Sequence, residues 1–256
     1  MELETVIYEA REGVARIVLN RPRVLNAMNR RLWTDLEAAL SAAAGDPDVK
    51  VAVIAGEGRA FSTGADLKES RNRTLEDYRE YLENLQEVSR RIIRFEKPTI
   101  AAINGYALGS GYELALACDI RIAAEDAAIG SPEARVTSSV TGGAFRLLRD
   151  LVGPGKASEL LFTAENIDGR EAERIGLVNR AVPADRLLET AMDMARKIAA
   201  NSAFSLRMIK RGIKLAAGET SMEALMAYEV EACLACVSTR ERQASLTAFE
   251  ERKRDS

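Results

Sequence analysis

The spacing of apolar residues changes period several times along the chain, and each change marks an element. Residues 5–10 and 14–20 are short apolar runs flanking Arg11-Glu12-Gly13, which predicts two strands of a hairpin. Leu32, Trp33, Leu36 and Leu40 then recur at helical spacing within residues 29–44, and Gly45-Asp46-Pro47 stops that helix. The runs VKVAVIAG, PTIAAING and DIRIAAE are apolar throughout, as strands buried on both faces are. Between them lie the loop-like GEGRAFSTGADLKES, an amphipathic helix over residues 74–94, ended by Pro98, and a short helix SGYELALAC. This alternation predicts α/β layers around a largely parallel sheet.

Past Gly142 the pattern becomes mostly helical. AFRLLRDLVG, KASELLFTA, GREAERIG and residues 184–250 all carry helical spacing, and VNRAVP is one more short strand. The last 55 or so residues present apolar faces rich in Leu, Met and Ala, a common mark of an oligomer interface. The chain divides on this basis into a core, residues 1–200, and a helical region for oligomerisation, residues 201–256.

Charge and composition narrow the function. The 256 residues suit one large domain with or without a small appendage. The net charge of −3 gives no nucleic-acid footprint, and the basic runs Arg71–Arg73 and Arg90–Arg94 are flanked by glutamates, as solvated helix faces are. There is no apolar stretch long enough for a membrane helix and no secretory leader pattern, so the expected compartment is the cytoplasm. Three cysteines make no disulfide framework; Cys233 and Cys236 form a C-x-x-C inside a predicted helix and, like Cys118, read as packing residues.

The most restrictive fact is that the chain has no histidine. Ser-His-Asp and Cys-His schemes and His-bearing zinc sites are therefore excluded, and proton transfer near neutral pH falls to carboxylates, Lys, Tyr or Cys. Two glutamates are candidates. Glu113 follows Ser110 in a capping-box pattern, and Glu133 follows Ser131-Pro132, an ordinary helix start with Ser as N-cap. Each also follows an apolar strand and a glycine-bearing turn, so both can face one pocket, where two carboxylates push their proton affinities apart.

The glycine-rich stretch from Asn104 to Ala115 lacks the G-x-G-x-x-G spacing of a dinucleotide fold. It offers instead a helix N-terminus whose free N–H groups suit an oxyanion, with the N–H of Ser110 at the junction. Gly64 and the N–H of Ala65, after the strand VAVIAG, can supply a second donor.

Taken in order, NGYALGSGYELALACD, AFSTGADLKE and GSPEARV resemble the enoyl-CoA hydratase (crotonase) family, and the likeness extends from LNRPRVLNAMN through GREAERIGLVNRAVP to the helical tail. The resemblance implies a spiral of ββα units with a C-terminal helical trimerisation region, and a homotrimer or a hexamer built as a dimer of trimers. It implies an oxyanion hole from the N–H groups of Ala65 and Ser110, and catalysis by Glu113 and Glu133. Arg23, Leu25, Ala27, Ala65, Asp66, Leu67, Lys68 and Gly109 match positions that hold the coenzyme A substrate. The implied reaction is reversible addition of water to a 2-enoyl-CoA, with no metal, no separate cofactor, no nucleic acid and no membrane. The alternatives are an enoyl-CoA isomerase or other enolate-forming relative, and a non-catalytic acyl-CoA-binding homologue. One departure lies after the second glutamate. The family carries a Pro-Gly-x-Gly-Gly-like turn there, whereas ARVTSSVTGG lacks the proline and is a residue shorter, keeping Gly142-Gly143.

Overall fold

A computed structural model describes residues 3–70, 74–218 and 222–237. The chain opens with the hairpin of β1 (Val6–Arg11) and β2 (Val14–Leu19). Glu12 and Gly13 both take positive φ, 52° and 80°, the conformation that matches the twist of a two-residue hairpin turn. Helix α1 (Arg30–Gly45) follows, its first turn capped by the Asn29 side chain, which accepts from the Leu32 N–H at 3.0 Å. Then come β3 (Val51–Gly56), β4 (Ala60–Ser62), α2 (Leu67–Ser70) and α3 (Leu75–Arg94). Thr74 and Asp77 close a capping box on α3. The chain continues through β5 (Thr99–Ile103), β6 (Tyr106–Leu108), α4 (Ser110–Ala117), β7 (Ile120–Ala124) and β8 (Ala128–Gly130). It ends in α5 (Ala144–Thr163), α6 (Gly169–Arg174), β9 (Arg180–Val182), α7 (Leu187–Ala199), α8 (Ala203–Ala216) and α9 (Met222–Val237).

The strands form two sheets. The larger has the order β1-β2-β3-β5-β7-β9, antiparallel only between β1 and β2. The smaller is β4-β6-β8, parallel throughout. Consecutive pairs β3–β4, β5–β6 and β7–β8 each give one strand to each sheet and then turn into helix, so the architecture is a spiral of ββα units. Helix α1 packs on β1 and β2, and α7 on β3, β5 and β7, enclosing Ile17, Leu36, Ile54, Ile100 and Ile122, all fully buried. Sheets covered in this way need the near-continuous apolar strands that the sequence carries.

One detail differs from the sequence reading. The segment read as loop, residues 56–70, contains β4, and the small sheet as a whole went unread because three-residue strands show no period. The two helices expected over residues 144–164 both form, and they meet within α5 at Gly153, whose φ of 79° and ψ of 163° lie outside the helix just before Pro154.

Helix α8 is tied to the core by a buried lysine. Lys210 Nζ donates to the Lys97 carbonyl at 2.8 Å and pairs with Asp119 at 2.5 Å, and it lies 5.8 Å from the centre of the Phe95 ring. Helices α8 and α9 pack on each other, leaving Ile209, Ile213, Met226 and Val230 exposed. Cys118 is buried and its thiol is pushed up to about 12 by that burial, as a packing residue's would be. The side chains of Cys233 and Cys236, and the run Arg71–Arg73, lie outside the described residues.

Candidate active site

The small sheet organises the site. Its three strands are parallel, so their carboxyl ends lie along one edge. From that edge β4 leads into Thr63-Gly64-Ala65, β6 into Gly109-Ser110, and β8 into Ser131-Pro132-Glu133.

The first two turns meet face to face. Gly64 has φ of +88°, and a Cβ added there would fall 2.7 Å from the Leu108 carbonyl oxygen and 3.0 Å from the Ser110 nitrogen. Any side chain at Gly64 would therefore enter the space between the two turns. Among the described residues, neither the Ala65 N–H nor the Ser110 N–H donates to a protein acceptor. The Ala65 turn is held in place from the other side. Met28 N–H donates to the Gly64 carbonyl at 2.7 Å, and Asp66 N–H to the Met28 carbonyl at 3.1 Å.

Helix α4 behind Ser110 is buried along its whole length. Gly111 lies so close to β4 that a Cβ there would meet the Ser62 carbonyl oxygen at 2.3 Å. At the other end the buried Arg121 guanidinium donates to the carbonyls of Cys118, at 2.6 Å, and of Ala115 and Leu116, at 3.4 and 3.5 Å. A cation there offsets the partial negative charge of the helix C-terminus, the end opposite the partially positive one at Ser110. Nothing in the local sequence singled out Arg121, whose partners lie in the preceding helix and in the carbonyl of Leu177, 2.8 Å away.

Ser110 does not cap α4, contrary to the capping-box reading. It is the first helical residue, and Gly109 sits at the cap with φ of 52° and ψ of −124°, backbone angles that only glycine adopts easily. The side chain of Glu113 is thus free for other partners. It is 3% exposed, and both its oxygens are taken by one residue. The Thr141 N–H donates to Oε1, and the Thr141 hydroxyl donates to Oε2 at 2.8 Å. Burial raises the Glu113 carboxyl above the usual carboxylate range; the two Thr141 bonds pull it back down, and the charge of Glu133 pushes it up again.

Glu133 opens a single turn of 3-10 helix with Pro132 at its cap, so the expected Ser131 N-cap is not formed. The hydroxyl of the buried Ser131 donates to the Glu133 carboxylate instead. Glu133 Oε1 lies 2.8 Å from where a Cβ on Gly109 would sit, which sets this carboxylate beside the Ser110 turn. The two glutamates therefore face one space, next to two amide donors. Such a site can polarise a carbonyl and move protons at the neighbouring atoms.

The remaining residues lie along the rim. The segment 21–28 runs beside the Ala65 turn, with Leu25 accepting from the Thr63 N–H at 3.1 Å and Ala27 accepting from the Arg21 guanidinium. Arg23 is exposed, and Leu25 and Ala27 are half-buried. Asp66 pairs with Arg21 at 3.0 Å and accepts from the Lys68 N–H at 3.1 Å; Lys68 itself is exposed. The side chain of Leu67 lies outside the described residues. At the centre of this rim is Asn26, fully buried, which accepts from the Arg21 N–H at 2.8 Å and donates to Glu57 O at 3.0 Å and Ala60 O at 2.7 Å.

Known proteins resemble this chain along nearly its whole length. Residues 9–256 match the family described as enoyl-CoA hydratase/isomerase. The chain is 37% identical over 255 residues to a short-chain-enoyl-CoA hydratase of Clostridium acetobutylicum, covering 99% of this chain and 97% of the relative. It is equally identical, over the same length, to a crotonyl-CoA hydratase of Syntrophomonas wolfei, covering 99% and 98% of the two chains. The crystal structure of an enoyl-CoA hydratase from Bacillus anthracis superposes with a TM-score of 0.94 at 33% identity, over 97% of each chain.

Proposed function

The chain belongs to the enoyl-CoA hydratase/isomerase family, and on that footing we propose that it is an enoyl-CoA hydratase, adding water reversibly across a 2-enoyl-CoA double bond to give a 3-hydroxyacyl-CoA. The observation that carries the reading is the meeting of a buried, doubly held Glu113 and a neighbouring Glu133 beside two facing amide turns.

The thioester carbonyl sits between the N–H groups of Ala65 and Ser110. Charge grows on that oxygen as the β-carbon is attacked, and each donor contributes about 2.7–4 kcal/mol to the transition state. Water lies between the glutamates. Glu113, ionised, takes its proton as the oxygen bonds to the β-carbon. Glu133, protonated, gives a proton to the α-carbon. The proton balance closes without a metal or redox group.

The coenzyme A arm runs along the rim made by Arg23, Leu25 and Ala27 and by residues 65–68, with Gly109 leaving room for the thioester. The exposed apolar residues of α8 and α9 make the contact between copies of the chain, in a homotrimer or a hexamer built as a dimer of trimers. The compartment is the cytoplasm; no helix among the described residues is long and apolar enough to cross a membrane.

Incubation with crotonyl-CoA, following the conjugated thioester absorbance, tests the reaction. Loss of absorbance with gain of one water in the product mass supports hydration. Migration of the double bond without a mass change would instead assign an isomerase. Tight coenzyme A binding without turnover on any enoyl-CoA would assign a binding protein.

A further inference from the structure

The loop that departs from the family pattern, residues 134–143, places one side chain directly on the reacting machinery. Thr141 uses all three of its polar groups. Its N–H and its hydroxyl each bind one oxygen of Glu113, and its carbonyl accepts from the Ala144 N–H at 2.9 Å, which starts α5. The residue is thus fixed between the catalytic helix and the next one.

The backbone around it is built for this approach. Gly142 and Gly143 both take positive φ, +60° and +83°. A Cβ on Gly142 would fall 2.7 Å from the Ser89 hydroxyl of α3 and 3.5 Å from the Glu113 Cβ. The paired glycines let the loop press against α3 and α4 closely enough for the threonine to reach both carboxylate oxygens.

The two glutamates are not supported alike. Glu133 accepts one hydroxyl, from Ser131, while Glu113 accepts two donors and is the more buried. Donors that point at a carboxylate favour its charged form and fix the plane of its oxygens. We propose that Thr141 is the positioning residue of this site, its hydroxyl fixing the plane of the Glu113 carboxyl oxygens and opposing the burial that favours the protonated form. The assignment rests on the hydratase reading above. Helix α4 is packed by α3, α5, β4 and β6, and the charged group that acts on Glu113 is Glu133, on the loop after β8.

Thr141→Val keeps the backbone N–H and the shape but removes the hydroxyl; Thr141→Ser keeps the hydroxyl, and Thr141→Ala is a second variant without it. Loss of a hydrogen bond to a charged group lowers kcat/KM about 10–100-fold. The expected result is that size of loss in Thr141→Val and Thr141→Ala near neutral pH, with KM little changed and the acid limb of the pH profile moved to higher pH. Thr141→Ser should restore both the rate and the limb. If the hydroxyl served only to anchor the loop, thermal stability would fall while the pH profile stayed in place, and that result would overturn the proposal. An activity-free measurement separates it from the hydratase reading. The Glu113 carboxyl, followed by carbon-13 NMR of glutamate-labelled protein, should titrate at higher pH in Thr141→Val than in the wild type. An unchanged titration refutes the role of Thr141, whatever reaction the enzyme catalyses.

Discussion

Gly64 and Ser110 face each other across a gap that one methyl group would close: a Cβ on Gly64 lies 3.0 Å from the Ser110 nitrogen. The space between the two turns is therefore set by the absence of a side chain, and the proposed function puts the thioester oxygen there. Gly64→Ala should lower kcat about 10²–10³-fold, the cost of losing an oxyanion donor. Steady-state kinetics with crotonyl-CoA checks this, and a rate near that of wild type would remove the Ala65–Ser110 pair from the mechanism.

The second prediction concerns pH. Burial holds the Glu113 carboxyl above the usual range, so the ionised base is lost as pH falls through that raised value. The acid limb of kcat/KM should therefore lie above the ordinary carboxylate range. Glu113→Gln and Glu133→Gln should each lower the rate about 10²–10⁴-fold. Stability runs the opposite way. A carboxyl whose folded pKa exceeds its unfolded pKa stabilises the fold when protonated, and this contribution is lost as pH rises from the unfolded carboxylate range through the raised folded value. The stability of Glu113→Gln relative to wild type should thus improve from pH 4 to pH 7, as read from urea midpoints.

Asn26 supports a third prediction. Its side chain makes three hydrogen bonds from a fully buried position and joins the 21–28 segment to the strand that ends in the Ala65 turn. Asn26→Ala should cost about 3 kcal/mol, roughly 1 for each bond. KM for acyl-CoA should rise as well, since the same segment forms the rim. Denaturant unfolding and kinetics on one preparation test both effects.

The α8–α9 surface gives the fourth. Ile213 and Met226 are 67% and 57% exposed in the single chain, which is unusual for large apolar side chains on neighbouring helices. Ile213→Asp combined with Met226→Asp should shift the protein from trimer or hexamer toward monomer in sedimentation velocity. Unchanged sedimentation would place the contact elsewhere.

The long elements were legible in the sequence because their periods are long. Helix α3 runs over Leu75–Arg94, against an expectation of 74–94, and the buried strands β3, β5 and β7 stand where apolar runs predicted them. The residues that brace the candidate site were hidden for a different reason. Arg121 and Thr141 act on groups distant from them in sequence or across a turn, and no local pattern marks a residue whose partner is set by tertiary packing. Ser110 and Ser131 misled for the opposite reason. Both fit cap patterns well, but a glycine takes the cap at one site, and at the other the hydroxyl goes to a carboxylate. The absence of histidine and the glycine-bearing turns made Glu113 and Glu133 candidates, and the family resemblance chose the catalytic reading over simple helix-start acids, which local pattern also allowed.

The small sheet also has a consequence in time. β4, β6 and β8 have three residues each and pair only through contacts distant along the chain, which form slowly because ring closure must precede any reward. The hairpin β1–β2 and helix α1 lie within residues 6–45, pair through near neighbours in the chain, and are synthesised well before Glu133 and Thr141. A nascent or refolding chain therefore regains most of its secondary structure while still inert, and recovery of turnover should trail recovery of circular dichroism.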